Sequence, residues 1–306
     1  MKNIIITILI IVLISFGAFY FIQKKSNEIV TENENNNTAE EMSEEKQDQM
    51  EVDKTETIIG KSVEGKDITA YHFYSNNENA QVDTKLLFIG GIHGGYSWNT
   101  SLVAYELMDY LKNNNSEIPE NVEVTVIPSM NIDGLSKVTG TDGQFSKSDV
   151  SATDTERVLA RFNENDVDLN RNFDCEWQAT SKWQNKDVSG GDKAFSEPES
   201  QTIQSYVDKY NPNAVVVWYS AGGGVFASSC KNGVSDETKS LTNIYAKASG
   251  YKPYESFNFY EITGDMVNWL AKKNIPAISV LLTTHTDTEW SKNQKGIEAI
   301  LKHYAK

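Results

Sequence analysis

Four short apolar segments constrain this chain more than any other feature: Leu86–Ile89, Val122–Ile127, Ala214–Trp218 and Ile278–Leu282. They are rich in aliphatic and β-branched residues and bounded by turn residues, the pattern of strands buried on both faces. Between the first two, Val103, Leu107 and Leu111 recur at helical spacing over Thr100–Lys112. A further helix opens at Ser196-Glu197-Pro198-Glu199, with Ser at the cap, Glu three residues on and Pro in the first turn. Upstream, Ile58–Asp67 reads as a hairpin, with strand residues from Ile68 to Tyr74. Strands alternating with helices predict an α/β fold with a mixed, largely parallel sheet flanked by helices. Sites in such sheets form at the carboxyl ends of strands. His93, Tyr219 and the residues after Leu282 fall at such ends.

The first 22 residues stand apart from this pattern. Ile4–Ile22 is almost wholly apolar, with Lys2 before it and Lys24-Lys25 after it. That length spans a bilayer, and neither a small-x-small cleavage site nor a lipid-anchor cysteine follows. The expectation is a transmembrane signal anchor over 1–22. Residues 23–55 read as an acidic tether, since Gln23 to Ile58 holds 11 acidic and 4 basic residues, a net of −7. Such a segment cannot bury enough surface to fold. The folded domain is expected over 56–306. A net charge of −15 excludes nucleic acid as a partner, because phosphate binding needs a basic face. Two Cys exclude a disulfide-rich scaffold and a cysteine-based zinc knuckle.

Residues 90–100, GGIHGGYSWNT, place a histidine in a glycine-rich turn at the end of a buried strand. The placement suits a metal ligand. A carboxylate partner belongs three or four residues on, where Tyr96 and Ser97 stand.

From about Glu56 onward the chain resembles the zinc carboxypeptidases of family M14. Seven motifs carry the likeness in order: GKSVEGKDITAY (60–71), IGGIHGGYSWNT (89–100), VIPSMNIDG (126–134), ARFNENDVDLNRNFDCEW (160–177), FSEPESQTI (195–203), VVVWYSAGGGVFASSC (215–230), and YEITGDMVNWL (260–270) with LLTTHTDTEW (281–290). The resemblance implies zinc held by two His and one Glu with an open position for water. A further Glu acts as general base on water acidified by the metal. Matched residue by residue, the first metal His is His93. The metal Glu falls on Ser97, or on Tyr96 if the spacing is one shorter. The second metal His falls on Tyr219 and the catalytic Glu on Leu281. Leu accepts no proton, and a lone imidazole is not a high-affinity zinc site.

The peptide-holding positions keep their residue types. Asn170 and Arg171 match the pair that grips a substrate's C-terminal carboxylate, Arg161 the residue that polarises the scissile carbonyl, and Tyr260 the tyrosine that closes over the substrate. Arg binds a carboxylate through two parallel bonds, but Arg161 and Arg171 can equally pair with an internal carboxylate such as Asp168. Val267 matches the pocket floor and implies an apolar one, with Asp265 nearby to attract a basic side chain. His285, Asp287 and Glu289 offer a displaced metal site or plain scaffold; His72 and His303 carry no signal. Cys175 and Cys230 lie in segments that adjoin in the family, either as a disulfide or as two buried thiols.

The apolar N-terminal run implies a membrane-anchored, single-pass protein, and the tether and the resemblance to secreted peptidases imply an extracytoplasmic domain. Its domain is a catalytically inactive carboxypeptidase relative that binds peptide C-termini, among them cell-wall stem peptides, with no cofactor although the family uses zinc. The flanking lysines slightly favour the opposite orientation. An active metallopeptidase with a rearranged site and a structural or adhesion module are the alternatives.

Overall fold

The computed structural model describes residues 55–77 and 79–306. The expected anchor and nearly all of the expected tether lie outside the described residues. Among the described residues, no helix is long and apolar enough to cross a membrane.

An eight-stranded sheet organises the domain, in the order β1-β2-β4-β3-β7-β10-β8-β9. Its strands are β1 (Glu56–Lys61), β2 (Asp67–Phe73), β3 (Thr84–Ile89), β4 (Val122–Ile127), β7 (Ala214–Ser220), β8 (Gly224–Ala227), β9 (Pro253–Tyr254) and β10 (Ala277–Leu282). The four apolar segments of the sequence are its centre, β4-β3-β7-β10, and all three of their pairings are parallel. Leu86 lies between Val124 and Ala214, and Val280 beside Trp218. Antiparallel pairing joins β1 to β2, β2 to β4 and β8 to β10. The sheet is thus mixed with a parallel core, as the alternating pattern predicts. Leu86, Leu87, Phe88, Ile89 and Val215–Trp218 are all essentially fully buried. Each such side chain contributes roughly 1.5–3 kcal/mol relative to exposure.

Helix α1 (Trp98–Asn113), which begins two residues before the apolar spacing does, packs on β7, β4 and β3. It shares its layer with α7 (Trp290–Tyr304), which in turn packs on α5 (Asp236–Ser249). Gly296 of α7 permits that close approach, since a Cβ there would come within 2.6 Å of the Tyr245 ring. Buried polar groups in this seam are paired: Trp218 Nε1 and Tyr245 Oη both donate to Asn293 Oδ1. Helix α4 (Pro198–Tyr210) packs on β1, and α6 (Met266–Lys272) on β10. Short helices α2 (Ile132–Thr139) and α3 (Asp154–Leu159) follow β4. A separate hairpin, β5 (Thr180–Trp183) with β6 (Lys186–Ser189), stands beside the main sheet.

One expected cap is corrected. The residue before α4 is Glu197, not Ser196, and its side chain makes no cap bond. Ser196 Oγ instead donates to Glu197 Oε1 and accepts from Asn172 Nδ2. The nearby carboxylate and amide compete for the hydroxyl that a cap would need.

Candidate ligand cleft

The loops after β3, β7 and β10 converge as expected for a parallel core. With the hairpin β5–β6 and residues 256–265 they enclose a cleft of about 720 Å³. His93, Tyr96, Arg161, Asn170, Arg171, Tyr219, Tyr260, Asp265, Val267 and Leu281 all line it. Nearly every candidate site residue from the sequence is therefore in one place. The exception is Ser97, which is 1 % exposed, has no hydrogen-bond partner for its hydroxyl and does not line the cleft. The single turn Gly94–Ser97 carries Tyr96 into the cleft instead, so the shorter of the two spacings is the one that lines the cleft with His93.

His93 is buried, with Nε2 at 3.5 Å from Asp168 Oδ1, an ion-pair distance too long for a hydrogen bond. Burial, then the Arg161 charge, push its pKa down to about 4, so the ring is neutral near pH 7. The Tyr219 ring lies 5.8 Å away. Its hydroxyl donates to Asn170 Oδ1 at 3.2 Å, and burial, reinforced by the Asp265 charge, pushes the phenol well above its ordinary value. It is a neutral hydrogen-bond donor rather than a phenolate. Leu281 packs on Gly222, whose added Cβ would lie 2.6 Å from Leu281 Cδ2.

The family's zinc does not fit these residues. One imidazole, a neutral phenol, a second tyrosine and an alkyl chain replace two imidazoles and two carboxylates. Among the described residues, no group of three or more His, Cys, Asp or Glu is placed to hold a metal. The displaced-site idea fails on the same ground. His285 Nδ1 is bonded to Ser220 Oγ at 2.9 Å, and the Glu289 carboxylate accepts from Thr283 N and Tyr251 Oη.

The two arginines differ. Arg161 Nε and Nη2 both donate to Asp168 Oδ2, at 3.1 and 2.8 Å, and its guanidinium stacks on Trp183 at 4.3 Å with Tyr96 at 5.5 Å. Burial alone would raise the Asp168 pKa, but Arg161 and Arg171 hold it well below the usual carboxylate range. Arg161 is therefore spent on an internal pair, one of the two possibilities open in the sequence. Arg171 is 1 % exposed, yet its guanidinium donates only to backbone carbonyls. Nη1 donates to Asn170 O, and Nε and Nη2 to Lys182 O. Among the described residues no carboxylate forms an ion pair with it. Half-buried Tyr260 lies 5.9 Å from this guanidinium.

Two pieces of scaffold fix these groups. Gly264, at φ +64°, passes so close to Arg171 O that a Cβ would sit 2.1 Å away. It pairs with the Phe173–Cys175 backbone on both sides, through Phe173 N to Gly264 O and Gly264 N to Cys175 O. Cys175 and Cys230 form a disulfide with Cα atoms 6.0 Å apart, tying the Asn170–Arg171 segment to the loop after β8. The sequence reading missed Trp183. Its hairpin is polar and short, and only the alternation around Gln184-Asn185 signals it.

The zinc carboxypeptidase family model matches residues 36–302. The chain belongs to the zinc carboxypeptidase family, M14. Solved structures share the fold at low identity. The murein-tripeptide amidase MpaA from Escherichia coli O157 is 20% identical with a TM-score of 0.56, covering 82% of this chain and 93% of that one. Thrombin-activatable fibrinolysis inhibitor is 16% identical with a TM-score of 0.61, covering 81% and 68%. Carboxypeptidase A from Helicoverpa armigera is 20% identical with a TM-score of 0.58, covering 81% and 66%. No curated protein matches the sequence. Of the positions matched to the family, His93, Tyr96, Arg161, Asn170, Arg171, Tyr219, Tyr260 and Leu281 line this cleft.

Proposed function

We propose that this chain is a non-hydrolytic member of the zinc carboxypeptidase family that recognises peptide C-terminal carboxylates. The observation that carries the reading is Arg171, a buried guanidinium lining the cleft with no carboxylate paired to it among the described residues. A buried charge is tolerated when a partner arrives, and a ligand carboxylate is the partner of matching shape. Tyr260 stands beside it as a cover. Hydrolysis lacks its groups. Leu281 occupies the general-base position, and loss of a positioned base alone typically costs about 10²–10⁴-fold.

Likeness to a murein-tripeptide amidase supports a cell-wall stem peptide as the natural ligand. The apolar N-terminal segment supports a single-pass membrane anchor. The Cys175–Cys230 disulfide supports an extracytoplasmic domain, since such bonds persist in oxidising compartments. With no metal contact, binding is expected on the order of micromolar to millimolar. Calorimetry with short peptides tests the reading. Free acids should bind and their C-terminal amides should bind at least about tenfold more weakly. Arg171→Ala should abolish the difference, and no peptide should be cleaved. Equal binding of acid and amide leaves a structural module as the better description, and zinc-dependent release of a C-terminal residue leaves an active peptidase.

A further inference from the structure

The His93 imidazole is 5 % exposed and lines the cleft, yet among the described residues neither ring nitrogen has a hydrogen-bond partner. The two nitrogens face different surroundings. Nε2 is turned to Asp168 Oδ1 at 3.5 Å. That carboxylate already accepts from Arg161 Nε and Nη2 through Oδ2 and from Asn170 N through Oδ1. A ring nitrogen turned to an anion carries the proton, because a lone pair there would be repelled. In the neutral ring the lone pair then sits on Nδ1. A buried acceptor of this kind calls for a donor. The polar neighbours spend theirs elsewhere: Tyr219 Oη on Asn170 Oδ1, Asn170 Nδ2 on Asp265 Oδ2, and Arg161 on Asp168.

We infer that His93 is a ligand-binding residue in its own right: Nδ1 accepts a hydrogen bond from the last peptide N–H of a peptide whose terminal carboxylate lies on Arg171. The inference rests on the carboxylate-binding reading above. Two links place the acceptor beside the Asn170–Arg171 pair. Asp168 Oδ1 is shared between His93 and Asn170. The Tyr219 ring lies 5.8 Å from the imidazole, and its hydroxyl bonds Asn170. A carboxylate on Arg171 brings its nearest donor with it, since the last peptide nitrogen is two bonds from the carboxyl carbon. Because the family's zinc does not fit these residues, the lone pair is free for that N–H. The cleft therefore selects a terminal carboxylate together with an adjoining N–H, and discriminates against chains whose last link is an ester.

The test uses the full chain in chelator, with calorimetry on three matched ligands. They are a peptide acid, its depsipeptide with an ester oxygen replacing the last N–H, and its C-terminal amide. The unaltered protein should bind the acid about five- to tenfold more tightly than the depsipeptide, the contribution of one neutral hydrogen bond. This comparison needs no variant, so equal affinities overturn the inference whether or not any variant folds. His93→Phe should weaken the acid to the level of the depsipeptide and leave the depsipeptide within about twofold. His93→Asn, whose side-chain oxygen is an acceptor on a short stem, should recover part of the difference. An acid-to-depsipeptide ratio that His93→Phe leaves unchanged overturns the inference. A ratio that appears only when zinc replaces the chelator assigns the lone pair to a metal and overturns it too. In each of these cases a retained preference for acid over amide keeps the carboxylate reading. Equal binding of acid and amide overturns that reading and this inference together.

Discussion

At the scale of single residues, Arg161 and Arg171 show how two like side chains in one cleft take different roles. Arg161 is held by Asp168 and stacked on Trp183, and both members of the pair are buried. Removing one member of such a pair leaves an uncompensated charge and costs about 3–5 kcal/mol. Arg161→Ala should lower the unfolding free energy by that order in urea, with Arg161→Met/Asp168→Asn recovering much of it. Among the described residues no carboxylate lies at ion-pair distance from Arg171, whose charge acts on Asp168 only at longer range, so the stability loss of Arg171→Ala should be smaller. Equal losses would mean that Arg161 and Arg171 are equally structural. The candidate site was legible at this scale because each chemistry-bearing residue stands in a short motif. The bond between Asn170 and Asp265 was not, since it joins residues far apart in sequence and depends on the path of the Gly264 backbone. Nor did spacing alone decide between Tyr96 and Ser97; the tight turn Gly94–Ser97 did.

Among elements, the four central strands were readable because burial on both faces leaves an unbroken apolar signature, whereas β5, β6 and the two-residue β9 carry too few residues for any period. The cleft wall they help to form is also tied by the Cys175–Cys230 bridge, which closes a stretch of 55 residues. Restricting the unfolded chain over such a loop contributes on the order of 4 kcal/mol in the chain-entropy model. Denaturation of the protein with and without reductant, and of the Cys175→Ser/Cys230→Ser variant, should show a loss of that size. Reductant should have no further effect on the variant. An unchanged midpoint after verified reduction would show that the backbone pairing around Gly264 holds the two loops by itself.

For the molecule as a whole, the chain carries a net charge of −15, while its cleft is lined by two buried arginines, Arg161 and Arg171. Long polyanions meet repulsion before they reach it, although screening limits the range to about 10 Å at 0.1 M salt. Tyr219 and Leu281 line the cleft with His93, and among the described residues no group of three or more His, Cys, Asp or Glu is placed to hold a metal. The purified protein should therefore carry no stoichiometric zinc by elemental analysis, and its melting temperature should not move in chelator. Tyr96→Glu/Tyr219→His/Leu281→Glu should gain zinc that chelator removes. One tightly held zinc in the unaltered protein would contradict the packing described. The stack of Trp183 on Arg161 has a practical side. Trp98 and Trp218 are buried in the core, whereas Trp183 stands on the cleft wall. Its indole is 6 % exposed and lies over the Arg161 guanidinium, so its share of the fluorescence emission should respond to a titrant in the cleft, and a Trp183→Phe variant separates that share from the other five tryptophans.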